Sequence, residues 1–72
     1  MEQSYKGHLI DVSVSLDGDD WRTRIFIYYS NGPQNILVTF GMDSRFKTYN
    51  GAMEAGLAAA HKWIDGNNPE IS

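Results

Sequence analysis

The longest regular pattern in the chain runs from Thr48 to Gly66, where apolar residues recur at the spacing of an α-helix. Thr48 is suited to accept hydrogen bonds from the free amides of the first turn, and Gly66 to adopt the left-handed conformation that ends a helix. The apolar stripe consists of Tyr49, Ala52, Met53, Gly56, Ala60, Trp63 and Ile64. We therefore expect one long helix that packs this stripe on the rest of the protein and turns Glu54, Ala58, His61, Lys62 and Asp65 outward.

The segments before the helix alternate between apolar and polar residues, as half-buried strands do. Polar turns are expected between them, at Asp17–Asp20 and at Ser30–Asn35, where Asn31 and Gly32 tolerate positive φ. The alternating segments are His8–Leu16, Trp21–Tyr29 and Ile36–Phe40. The pattern predicts an α+β fold, a three-stranded antiparallel meander covered on one face by a single C-terminal helix (βββα), with Met1–Ser4 as a loose end.

The two predicted hairpins give one consistent register, in which Ile25 and Ile27 lie between apolar residues of both neighbouring strands. A slip of one residue would turn a whole strand over, so this agreement supports the assignment of faces. The face toward the helix is expected to collect Ile10, Val12, Val14, Leu16, Trp21, Ile25, Ile27, Val38 and Phe40. Gly56 and the helix alanines would let the two layers approach closely, and Trp63 would fill the remaining space.

The opposite face of the sheet would stay uncovered, and it carries the functional prediction. Its rows should be Leu9, Tyr28 and Leu37, then Asp11, Phe26 and Thr39, then Ser13 beside Arg24 and Ser15 beside Arg22. A contiguous exposed apolar group is typical of a contact surface, whereas cross-strand pairs that only stabilise the sheet are the alternative. The predicted partner-binding residues are Leu9, Arg22, Arg24, Phe26, Tyr28, Leu37 and Thr39.

Length and composition restrict the class of protein. The 72 residues suit one small domain, with an ordered core over residues 5–66 and a tail over residues 67–72, and the absence of Cys excludes disulfides and a Cys nucleophile. We expect no signal peptide and no membrane span, and hence a cytoplasmic protein. A formal net charge of -3 repels a phosphate backbone. A chain this short gains from extra burial, which favours self-association as a homodimer.

No residue set predicts catalysis or a cofactor. His8 and His61 are the only imidazoles, too few for a zinc site, and His61 is expected to pair with Asp65 on the helix surface. The acidic group Asp17, Asp19 and Asp20 lacks the further oxygen ligands of a calcium loop and fits a turn better. Neither serine on the open face has a base within reach. We therefore expect no enzyme activity, no metal and no cofactor.

The sequence motifs near the two ends of the chain resemble those of a family of small uncharacterised bacterial proteins. These open with a Tyr-Lys-Gly motif and close with a Phe-x-Thr helix that ends in Trp-Ile-Asp-Gly. The matching residues are Tyr5, Lys6, Gly7, Trp21, Phe46, Thr48, Ala52, Gly56, Ala60, Trp63, Ile64, Asp65 and Gly66. The resemblance implies a bacterial cytoplasmic origin and supplies no activity.

The order of three strands followed by a helix also resembles the DNA-binding domain of plant ethylene-response factors. Tyr5–Gly7 match that family's opening, Trp21 and Arg24 lie where it places base-reading side chains, and Phe46 and Thr48 match its entry into the helix. Its dense arginines and its early helical glutamates are missing. The sequence thus predicts a non-catalytic domain that binds a protein partner or itself through the open face, with nucleic-acid binding at the Arg22 and Arg24 end as the alternative.

Overall fold

The computed structural model describes residues 2–67, which form a four-stranded antiparallel sheet with one helix across it. The strands follow one another in chain order across the sheet. The elements are β1 (Glu2–Tyr5), β2 (His8–Asp17), β3 (Asp20–Asn31), β4 (Gln34–Gly41) and α1 (Tyr49–Asn67). The α+β class and the meander are confirmed, with one strand more than predicted.

The additional strand is β1, which overturns the prediction that Met1–Ser4 is a loose end. Residues Glu2–Tyr5 pair with β2 from Asp11 back to His8. Lys6 and Gly7 make the connecting turn with φ of 48° and 79°, the pair of positive values that a tight hairpin turn of this type needs. The strand is short and polar, so its alternation gave no signal. The Lys6-Gly7 turn reverses the chain and so brings β1 beside β2.

The registers of the other two hairpins are those predicted. Val12 faces Ile25 and Ile10 faces Ile27 between β2 and β3. Between β3 and β4, Ile27 faces Val38 and Ile25 faces Phe40. Both turns contain a glycine with positive φ, Gly18 at 65° and Gly32 at 64°. The parity of every side chain on these three strands is therefore confirmed.

The helix begins as predicted and ends later. The Gly51 amide donates to Thr48 Oγ1 at 3.0 Å and the Ala52 amide donates to Thr48 O at 3.1 Å, so Thr48 caps the first turn. Gly66 does not end the helix with a positive φ, because α1 continues to Asn67. The predicted tail began at Asn67, which is helical, and residues 68–72 lie outside the described residues.

The core lies between α1 and the two central strands. Ile10, Val12, Ile25 and Ile27 are buried against α1. The buried positions of α1 are Ala52, Met53, Gly56, Ala60 and Ile64. The glycine permits the closest approach, because a Cβ there would lie 2.6 Å from Thr23 Cγ2 and 2.6 Å from Val12 Cγ1. The predicted close packing of helix on sheet is confirmed.

The sheet extends beyond the helix on two sides. β3 has 12 residues, about 40 Å at strand spacing, whereas the 19 residues of α1 span about 28 Å. Leu16, expected in the core, lies at the overhanging β2–β3 hairpin and is 61% exposed. The helix packs mainly on β2 and β3, so Val38 and Phe40 of β4 are only half-buried. The length of α1 limits how much of the sheet is covered, and the alternation of residues in the strands does not predict that length.

No helix within the described residues has both the length and the apolar character needed to cross a membrane.

Candidate functional site

The open face is the side of the sheet opposite α1, and it contains every side chain predicted to bind a partner. The observed register places Leu9, Tyr28 and Leu37 in one row across β2, β3 and β4. The next row is Asp11, Phe26 and Thr39, followed by Ser13 beside Arg24 and Ser15 beside Arg22. The structure therefore brings the predicted residues together in the predicted order.

The Leu9 row forms the apolar end of the open face. Leu9 is 39% exposed, Tyr28 42% and Leu37 53%, and Phe26 behind them is half-buried. Leu9, Tyr28 and Leu37 border a shallow depression at the end of the sheet near the β3–β4 turn, where Ile36 also contributes. Its lining is mostly apolar, so it suits an apolar side chain of another molecule.

The other end of the open face is polar and cationic. Arg22 and Arg24 are exposed there, and a second shallow depression lies between them, Ser13, Ser15 and Gly41. Arg22 Nε lies 3.9 Å from Asp17 Oδ2, a carboxylate that Arg45 binds more closely at 3.0 Å. Asp17 is thus shared between two arginines, and Asp20, beside it in the same row, binds Lys47.

Strand β1 adds residues to the open face that were not predicted to lie there. Glu2 lies beside Asp11, and Ser4 lies beside Leu9. The face therefore has two carboxylates at its β1 side, two arginines toward the β2–β3 hairpin, and Asp17 and Asp20 in the last row before that turn. The Lys6-Gly7 turn was the signal that could have revealed this strand, since a glycine after a polar residue favours a tight hairpin.

A second polar group lies at the other side of the molecule, where the β1–β2 turn meets the end of α1. The Tyr5 hydroxyl donates to both oxygens of Asp65 at 3.0 Å, and Lys6 Nζ lies 2.7 Å from Asp65 Oδ1. The His61 ring stacks on Tyr5 with centroids 4.0 Å apart, and its Nε2 donates to Gln3 Oε1. We call these residues the Tyr5–Asp65 cluster. It joins the first strand to the end of the helix.

This cluster corrects the prediction that His61 lies on the outer side of α1 and pairs with Asp65. His61 is half-buried because β1, which was not expected, lies beside it. The Lys6 ammonium, followed by the Tyr5 hydroxyl, holds the pKa of the Asp65 carboxyl below its ordinary value, and the hydrogen bond to Asp65 raises the pKa of Lys6. A carboxylate with a lowered pKa and two donors is a poor general base. The cluster ties β1 and its turn to the end of α1.

The acidic β2–β3 turn is held by cations of the loop before α1. Arg45 Nε donates to Asp17 Oδ2 at 3.0 Å, and Lys47 Nζ donates to Asp20 Oδ1 at 2.7 Å. Within residues 2–67, no three His, Asp or Glu side chains come close enough together to hold a metal ion. These aspartates fasten the loop to the hairpin.

No protein-family model matches this chain, and neither a curated protein nor a solved structure matches it. The two resemblances of the sequence therefore stay predictions, and the functional argument depends on the geometry of the open face.

Proposed function

We propose that this chain is a small non-catalytic interaction domain that binds a protein partner through its open sheet face. The observation that carries the proposal is the Leu9, Tyr28 and Leu37 row, which stays exposed although the opposite side of the sheet is buried by α1. An apolar row that crosses three strands without cover is more typical of a contact surface than of an ordinary exposed surface.

The chemistry of the face specifies the partner. Along β3, Tyr28 is four residues from Arg24 and six from Arg22, which corresponds to about 13 Å and about 20 Å at strand spacing. A matching partner carries an apolar side chain for the depression at Tyr28 and a carboxylate at one of these distances. Arg and Tyr are also the residue types that contribute most to protein interfaces.

The size of the apolar row points to a transient complex. Its three exposed side chains offer on the order of 300 Å², whereas a stable interface buries about 800 Å² on each partner. Glu2, Asp11, Arg22 and Arg24 would surround this contact with charge. Charged rims affect association rate and partner choice more than affinity. We expect a dissociation constant that is weaker than about 1 μM.

Nucleic-acid binding at the Arg22 and Arg24 end is the second candidate function. Two exposed arginines next to Ser13 and Ser15 offer donors for phosphate oxygens. Against it, Glu2 and Asp11 lie on the same face, and the chain has a net charge of -3. These carboxylates would repel a second stretch of backbone, so we place this function after protein binding.

A displayed peptide library tests the first proposal directly. The library is selected on the whole chain and counter-selected on a Leu37→Glu variant, which puts a carboxylate into the apolar row. We expect enriched peptides with a large apolar residue and an Asp or Glu four to six positions away, because the face has that spacing. Their binding should fall about tenfold for the Arg24→Ser variant, as expected when a charged hydrogen bond is lost.

A Lys62→Glu variant is the matched control, because Lys62 is exposed on the far side of α1. Peptides that bind all three variants equally would contradict the proposal. Amide shifts on adding duplex DNA at low and moderate salt test the alternative. Shifts at Arg22 and Arg24 that fade with salt, together with no acidic enrichment in the library, would favour nucleic acid instead.

A further inference from the structure

β4 is an edge strand with an unused row of backbone hydrogen-bonding groups. The two-residue turn at Gly32 and Pro33 makes Asn31 and Gln34 a hydrogen-bonded pair, and bonded and non-bonded pairs then alternate. The Met42 amide donates to Thr23 O at 3.0 Å, in agreement with this alternation. The groups directed away from β3 belong to Asn35, Leu37, Thr39 and Gly41. Among residues 2–67, no backbone group pairs with them.

The other edges of the sheet are shorter or closed. Beyond the end of β4, the edge of β3 is covered, because Trp21 exchanges two backbone hydrogen bonds with Phe46 at 2.8 and 3.0 Å. On the opposite side, β1 covers β2 from His8 to Asp11. The remaining edge of β2 runs only to Asp17 and ends at the charged hairpin. β4 is thus the long open edge of the described chain.

The edge of β4 has none of the features that prevent strands from pairing between molecules. Natural edges are usually protected by charged side chains, by proline or by bulges. β4 contains no charged residue and no proline, and its register with β3 is regular from Gln34 to Gly41. The uncharged stretch is longer still, since no Asp, Glu, Lys or Arg occurs from Ile25 to Met42. The chain has 15 residues of these four types, and none of them lies on the β4 edge.

The side chains of β4 also need cover on the helix side. Ile36, Val38 and Phe40 point to that side but are only half-buried, because α1 packs mainly on β2 and β3. An added strand next to β4 would bury them further. On the side away from β3, β4 therefore has unpaired backbone groups and half-covered apolar side chains at the same edge.

We propose that β4 pairs in an antiparallel manner with β4 of a second copy of this chain and forms a continuous eight-stranded sheet. A two-fold axis at Val38 aligns the whole strand: Val38 faces its copy, Ile36 faces Phe40, and Leu37 faces Thr39. The outward groups of Asn35, Leu37, Thr39 and Gly41 then bond in reciprocal pairs. Both helices lie on one side, and the two open faces join on the other.

A second copy is the occupant that these observations favour. Antiparallel pairing of β4 with its own copy needs no partner strand of a different sequence. The neutral edge also brings no like charges together, although each chain has a net charge of -3. The resulting cross-strand pair of Ile36 with Phe40 combines a β-branched and an aromatic residue, a favourable combination in sheets. The proposal does not depend on a partner at the open face, because that face stays accessible in the dimer.

Amide hydrogen exchange at two chain concentrations tests the proposal in the unmodified protein. Between about 10 μM and about 1 mM, we expect exchange at the outward amides of Leu37 and Thr39 to slow about fivefold, as binding protects amides in proportion to the bound fraction. The inward amides of Val38 and Phe40 are protected at both concentrations. The outward amides of Val14 and Leu16, on the β2 edge, serve as the internal control and should not change.

A proline substitution then removes an outward donor without breaking the β3–β4 ladder. Thr39→Pro should sediment as a monomer at about 1 mM, whereas Thr39→Val, which keeps the amide, should remain a dimer. Leu9→Glu alters the open face two strands away and should also remain a dimer. The amide spectrum of each variant shows whether it is folded, and the exchange experiment decides the matter if Thr39→Pro unfolds.

Two results would overturn edge pairing. One is a strict monomer at about 1 mM with no concentration dependence at Leu37 and Thr39. The other is a dimer that Leu9→Glu abolishes and Thr39→Pro leaves intact, because copies would then associate through the open face.

Discussion

At the scale of single residues, Gly56 sets the distance between the helix and the sheet. Its missing side chain leaves room for Thr23 and Val12, and the Thr23 hydroxyl uses this proximity to donate to Ala52 O at 3.0 Å. Thr23 is buried, so without this bond its hydroxyl would lose its partner at considerable cost. One glycine thus permits both the close packing and the hydrogen bond between the layers.

We expect Gly56→Ala to destabilise the protein although alanine favours helices. The new Cβ would lie 2.6 Å from two buried methyl groups, so the layers must separate. Overpacking costs about 1–3 kcal/mol, and the gain in helix propensity is about 1 kcal/mol, so we expect a net loss of up to about 2 kcal/mol. Urea unfolding measures this. Gly66→Ala is the control, because among the described residues nothing beyond its chain neighbours and its own helix backbone lies within 4 Å of an added Cβ. A loss of equal size there would contradict the packing argument.

Asp65 is the residue at which we expect a pH dependence. The Lys6 ammonium and then the Tyr5 hydroxyl lower the pKa of its carboxyl. Because the folded pKa lies below the unfolded one, the stabilisation is complete above the unfolded pKa and is lost as the pH falls through the folded pKa. Asp65→Asn should therefore unfold at lower urea than the native chain at pH 7, and the two should converge in acid. A constant difference would contradict this.

The pKa of Lys6 is shifted in the opposite direction to that of Asp65, so the loss of stability that it predicts occurs at alkaline pH. The hydrogen bond to Asp65 raises the pKa of Lys6, so its stabilisation is complete below the unfolded pKa and disappears as the pH rises through the raised value. Glu54→Gln is the control for Asp65→Asn, because Glu54 is exposed on the far side of α1. This variant should change stability by less than about 0.5 kcal/mol.

At the scale of elements, the sequence was sufficient wherever burial makes the pattern regular. The parity of β2, β3 and β4 could be predicted because Ile10, Ile25 and Ile27 must all face α1. That parity predicted that Leu9, Arg22, Arg24, Phe26, Tyr28, Leu37 and Thr39 share the open face, and they do. The fourth strand could not be read in this way, because β1 is short, polar and held by its turn and by the Tyr5–Asp65 cluster. The Tyr5–Asp65 cluster is a long-range contact, which periodicity does not encode.

The start of α1 depends on Thr48 more than on charge. The first turn contains no acidic residue that could interact with the helix dipole, so the amides depend on the Thr48 oxygens. We expect Thr48→Ala to cost about 0.5–2 kcal/mol in urea unfolding. Thr48→Ser keeps the hydroxyl and should retain most of the stability. Equal losses in both variants would show that the methyl group, and not the cap, matters.

At the scale of the whole molecule, edge pairing would link stability to concentration. A dimer that forms only from folded chains is stabilised by mass action, by about 1.4 kcal/mol of dimer, or about 0.7 kcal/mol of chain, for each tenfold rise in concentration above the dissociation constant. For a chain of this length, such a gain raises the thermal midpoint by several degrees, about 4–8 °C per kcal/mol in each chain. The native protein should therefore melt at a higher temperature at about 1 mM than at about 10 μM.

The same experiment on Thr39→Pro separates pairing from other effects of concentration. Its midpoint should be independent of concentration and should lie near that of the dilute native protein, since the outward amide of Thr39 takes no part in the β3–β4 ladder. Thr39→Val should follow the native curve. If all three midpoints fall as concentration rises, the exposed edge causes aggregation instead, and the absence of charge on β4 would then be a liability of this fold rather than an interface.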